Sequence, residues 1–158
     1  MEPNVTMTPL FKKLNWKGAS PIVVVNAPAS FALELAALEG VTILSAPEAD
    51  QPISFALAFV TTQADLDHWA TTLTAQAPGD ATLWFAYPKG SSKNYTCEFN
   101  RDSGWYVLGA AGFEGVRQVA IDADWSALRF RRVAYIKTLT RDPSRAGSAA
   151  GKARTTRD

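Results

Sequence analysis

The 158 residues contain a single cysteine, Cys97, and a single histidine, His68. One thiol excludes an internal disulfide and fits a reducing compartment. One imidazole, with no other ligand at metal spacing beside it, leaves no zinc-type signature, and His68 and Cys97 read as ordinary packed or solvated residues. The phosphate-cradling G-x-x-x-x-G-K-[ST] pattern and the G-x-S-x-G nucleophile elbow are both missing. No catalytic residue, metal or cofactor is therefore assigned, and the balance leans away from an enzyme. Long apolar runs are missing as well. Stretches such as FALAFV (55–60) fall far short of the roughly 20 residues that cross a bilayer. The opening MEPNVTMTPLFKKLNWKG carries an early acid and no apolar core, so no signal peptide is expected and the protein reads as cytoplasmic.

What is present is globular: 47% hydrophobic residues, 20% charged, and a net charge of +1. The charge is uneven. Residues 141–158 hold five basic and two acidic side chains, a net +3, which leaves about −2 for 1–140. The expectation is one α/β domain over 1–140 and a mobile basic tail over 141–158. The body has no clustered basic face of the kind nucleic acid requires.

The apolar pattern orders the elements. Thr8-Pro9 opens a short helix carrying Leu10, Phe11 and Leu14. PIVVVN (21–26), VTIL (41–44), ISFALAFVT (53–61) and ATLWFAY (81–87) read as strands, mostly apolar on both faces. Helices are expected from Pro28 or Ser30 to Gly40, and over 63–77, where Thr62 and Asp65 resemble a capping box. A short one follows around Trp105 and Leu108, capped by Asn100 or Asp102. VRQVAID (116–122) and ALRFRR (127–132), separated by four residues, must pair antiparallel. Leu128 and Phe130 then face one side of the sheet, Arg129 and Arg131 the other. The sum is a three-layer, Rossmann-like α/β sandwich with a mostly parallel sheet ending in an antiparallel hairpin. Ser45–Pro52, only eight residues, is short for a parallel crossover and requires an extended loop or another strand arrangement.

In such a sheet the loops at the strand carboxyl ends share a rim where ligands collect. The loop PKGSSKN (88–94) brings Lys89, Ser91, Ser92 and Lys93 to that rim, with Gly90 freeing the backbone to turn toward an anion. The alternative is an ordinary solvated turn. DADWSALRFRR (122–132) adds Asp122, Trp125 and Arg129. Asp122 and Arg129 grip a polar ligand under Trp125, or Asp122 and Asp124 build the turn, Trp125 closes the core edge and Arg129 pairs with an acid. NAPAS (26–30) contains no glycine, which weighs against a dinucleotide or an adenosyl donor. Trp69 and Trp84 fit core positions, whereas Trp16, Trp105 and Trp125 are available to a partner surface.

These segments resemble a bacterial family known as domain of unknown function 3052. The matching features are Lys12-Lys13, the turn Ala27-Pro28-Ala29-Ser30-Phe31, and Trp84 with Pro88-Lys89. The last is the Asp-x-x-Trp-Ser-x-Leu-x-Phe segment at Asp122, Trp125, Ser126, Leu128 and Phe130. The resemblance spans about 8–134 and implies a small Rossmann-like domain, similar in outline to a reduced methyltransferase core. It supplies no catalytic residues. Three functions stay open: a binder of a small anionic ligand, an interaction or homo-oligomerisation module, and a reduced methyltransferase-like domain.

Overall fold

In the computed structural model, residues 8–136 are described. The tail expected over 141–158 lies outside them. Thr8 caps α1 (Pro9–Lys13), its hydroxyl accepting from the Phe11 amide at 3.1 Å. Strand β1 (Ile22–Val25) is buried at all four positions. A 3-10 turn at Ala29–Phe31 leads into α2 (Ala32–Ala36), then come β2 (Ile43–Leu44), β3 (Phe55–Phe59) and α3 (Gln63–Ala75). Strand β4 (Thr82–Pro88), α4 (Tyr106–Ala110), β5 (Phe113–Ala120) and β6 (Trp125–Arg132) complete the domain.

The sheet order is β2-β1-β3-β4-β6-β5. The β1–β2, β1–β3 and β3–β4 pairs are parallel, and β6 runs antiparallel to both β4 and β5. Alternation along the strands feeds two cores. Val23, Val25, Ala56, Ala58, Leu83 and Phe85 meet α3 and α4 on one face. Ile22, Val24, Phe55, Leu57, Phe59 and Trp84 meet α1 and Phe31 on the other. The expected mostly parallel sheet with helices on both faces and a closing hairpin is present. The short β2-to-β3 link does cross as an extended loop. It is tied to the end of α3 by the Gln76 side-chain amide, which donates to the carbonyls of Glu48 at 2.8 Å and Gln51 at 3.3 Å.

Three expectations need correction. The helix foreseen from 28–30 to 40 is a 3-10 turn plus five residues, with Leu33 84% exposed, because no side chain caps its first amides. Asn100 and Asp102 do not cap α4, which begins behind Trp105 with no side-chain cap. The Asn100 Oδ1 instead accepts from the Asp102 amide at 2.8 Å and the Ser103 hydroxyl at 3.2 Å, a local turn that consumes it. Trp16 and Trp125 are not partner surface: they are 2% and 3% exposed, and the Trp16 indole donates to the Ala19 carbonyl at 2.8 Å.

Candidate functional site

Strand order reverses between β1, which leads to β2, and β3, which leads to β4. At that point the carboxyl ends offer Asn26 and Thr61-Thr62. Asn26 adopts φ +57°, a left-handed turn reached without glycine, since a short amide side chain tolerates that region. The start of α3, beside it, is already occupied. The Thr62 hydroxyl accepts from the Asp65 amide at 3.0 Å, and a Glu98 carboxylate oxygen accepts from the Gln63 amide at 2.8 Å. Glu98 arrives because the long β4–α4 loop folds back over the rim, its amide donating to the Thr61 carbonyl at 3.1 Å.

The same fold-back frames a hollow of about 800 Å³ beyond the end of β4. Tyr87, Lys89, Gly90, Cys97, Gln118 and Ser126 are among its lining residues. On its floor the Gln118 amide donates to the Tyr87 hydroxyl at 2.9 Å. Burial pushes the Tyr87 phenol up from its usual pKa, so it remains a neutral donor. Burial likewise raises Cys97, which keeps it a thiol rather than a nucleophilic thiolate. Among the described residues, no group of three or more His, Cys, Asp or Glu side chains is placed to hold a metal ion.

The 88–94 loop and the β5–β6 turn do meet. The Lys89 amide donates to the Asp124 carbonyl at 2.7 Å, and the Ser92 hydroxyl to the Asp124 carboxylate at 2.9 Å. This contact uses up much of the loop. Ser92 Oγ also accepts from the Asn94 and Tyr95 amides at 3.2 and 3.1 Å, and the Ser92 amide closes a turn onto the Lys89 carbonyl at 3.0 Å. Ser92 is therefore a turn anchor. Ser91 and Lys93 are exposed and Lys89 is half-buried at the lip of the hollow.

The other three candidates take different places. Asp122 Oδ1 accepts from the Asp124 and Trp125 amides, both at 2.8 Å, and so builds the hairpin turn. Trp125 lies 5.1 Å from Phe59 and 4.9 Å from Tyr95, ring to ring, inside the core, where it cannot stack on a ligand. Arg129 is not at this rim. It stands opposite Trp84 in the β4–β6 register, four positions from the Pro88–Trp125 pair, about 13 Å along the strand. The first turn joins the others through rings rather than polar groups: Phe31 packs on Phe59 at 5.0 Å, and Phe59 on Trp125.

Sequence reasoning did not single out Glu98, Tyr87 or Gln118. Glu98 bonds 35 residues away along the chain and Gln118 31 residues away, and no local pattern marks either.

No family model matches the chain, and no curated protein matches it. Among solved structures it is similar to a SAM-dependent methyltransferase from Aquifex aeolicus, with a TM-score of 0.53 and 16% identity. The alignment covers 78% of this chain and 88% of that one. The likeness is one of fold. No described helix is long and apolar enough to cross a membrane.

Proposed function

We propose that this chain is a Rossmann-like domain of the 3052 family that binds a small anionic ligand, without catalysis, in the hollow beyond β4. The hollow itself is the observation that carries the reading. Its volume of about 800 Å³ suits a small metabolite. Lys89 at its lip has no carboxylate at ion-pairing distance among the described residues. Lys89 supplies the charge, Gly90 keeps the backbone accessible, and Tyr87, Gln118 and Ser126 add polar lining. Lys93, exposed on the same loop, adds long-range attraction.

Thermal denaturation with a panel of inorganic phosphate, nucleotides and sugar phosphates tests this. A compound at about a hundred times its Kd adds about 2.7 kcal/mol, roughly 5–10 °C for a domain of this size. At least one compound is expected to shift the wild type by several degrees more than the Lys89→Gln variant. A panel in which no compound distinguishes the two proteins overturns the reading.

The fold likeness supports a second reading, a reduced methyltransferase. The residues at the strand reversal do not fit an adenosyl donor. The turn after β1 carries Ala27 and Pro28 in place of glycines, and Thr62 and Glu98 fill the amides at the start of α3. No methyl-transfer step is derived for this chain.

A further inference from the structure

The second half of β6 carries Arg129, Arg131 and Arg132, and the last two are committed to the turn before β4. Arg131 grips the Asp80 carboxylate with Nε and Nη2, each at 2.8 Å. Arg132 donates from Nε to the Gly79 carbonyl at 3.1 Å and from Nη2 to the Ala77 carbonyl, with its guanidinium 4.6 Å from the Phe113 ring centroid. Among the described residues Arg129 has no such anchor. It is half-buried, and its Nε is enclosed without a hydrogen-bond partner among the described residues.

Directly across from Arg129 on β5 stands Arg117, which is exposed. Opposite residues of an antiparallel ladder share a face, with Cβ atoms about 4.5–5.5 Å apart, and like charges there repel. The carboxylate of Asp80 is hydrogen-bonded to Arg131 and offers Arg129 a counter-charge without a hydrogen bond, and Glu114, buried at 2% exposure, faces Arg131 in the register. A β-bulge between Gly115 and Arg117 shifts the strand and brings Arg117 into line with Arg129.

We propose that Arg117 and Arg129 together bind a small oxyanion, a phosphate or a carboxylate group, on the face of the β5–β6 hairpin. A guanidinium presents its donors in a planar fork that matches both groups. An oxyanion between the two arginines accepts the unmet Arg129 Nε–H and neutralises the cross-strand repulsion. The site is distinct from the hollow at Lys89, which lies at the other end of β6. Burial, then Arg131 and Arg117 nearby, lower the Arg129 pKa against an opposing pull from Asp80, yet a guanidinium stays charged at neutral pH.

The test is thermal denaturation of the full chain in low-salt buffer, in a Lys89→Gln background that removes the rim site. Inorganic phosphate and acetate are each compared with chloride at equal ionic strength. One of the two oxyanions is expected to raise the Tm by several degrees beyond chloride, and the more effective one identifies the group recognised. Adding Arg117→Gln, at an exposed position that leaves the core intact, weakens the binding at least about tenfold, and Arg129→Lys, which keeps charge but loses the fork, weakens it as well. Without anion, Arg117→Gln melts no lower than its parent. Oxyanions no better than chloride, or a full phosphate or acetate shift surviving Arg117→Gln, overturn the proposal.

Discussion

Asp80 shows how one residue's surroundings turn into a pH dependence. Hydrogen bonding from Arg131 holds its carboxyl below the usual value, against a smaller opposing effect of burial. Because the folded pKa lies under the unfolded one, the stabilisation is complete above about pH 4 and fades as pH falls through the folded value. The pair is about one-third exposed, so solvent screening keeps it small. Asp80→Asn is expected to cost about 0.5–1 kcal/mol at neutral pH, with wild type and variant converging toward pH 2 in urea titrations. A gap that persists at acid pH would contradict this. Asp122 illustrates the limit of reading single residues. An aspartate beside a tryptophan fits a ligand grip or a turn equally well, and only the two amides on its Oδ1 decide for the turn.

At the scale of elements, local signals worked where the partner is local. Thr62 caps α3 and Thr8 caps α1, as their positions before the helices indicate, because the bonded amide lies three residues on. The α4 cap failed for the complementary reason: Asn100 found a closer amide and hydroxyl first. Gly104 joins the start of α3 to the returning loop. Its carbonyl accepts from the Gln63 side-chain amide at 2.7 Å, and a Cβ there would stand 2.7 Å from Phe99 Cβ and 2.8 Å from Gln63 Oε1. Its φ of +97° adds backbone strain for any other residue. Gly104→Ala is expected to cost about 2–4 kcal/mol by chemical denaturation. Gly112→Ala, at φ +87° with nothing within 4 Å, bears the backbone strain alone and costs about 1–2 kcal/mol less. Equal costs would refute a steric role for the loop contact.

At the scale of the whole molecule, the sheet order decides which loops become neighbours. Inserting β6 between β4 and β5 sets the 88–94 loop against the β5–β6 turn, while β3 separates both from the turn after β1. The fold resembles that of a methyltransferase, yet at the strand reversal Glu98 occupies the Gln63 amide at the start of α3. Calorimetry with the adenosyl donor at millimolar concentration is expected to show no heat of binding. Binding at micromolar Kd, weakened by substitutions around Asn26, would restore the methyltransferase reading.

Apolar runs, caps and the four-residue hairpin link were enough to place the strands, α3 and the closing antiparallel pair, because each depends on neighbours within a few residues. The same local pattern leaves Trp125 open between rim and core and places Arg129 near the rim. Tertiary structure alone decided that Trp125 is core, that Arg129 faces Arg117, and that Glu98 fills the start of α3. Those outcomes depend on strand order, on register and on a loop that folds back over the sheet, and all three are set by packing between segments far apart in the chain.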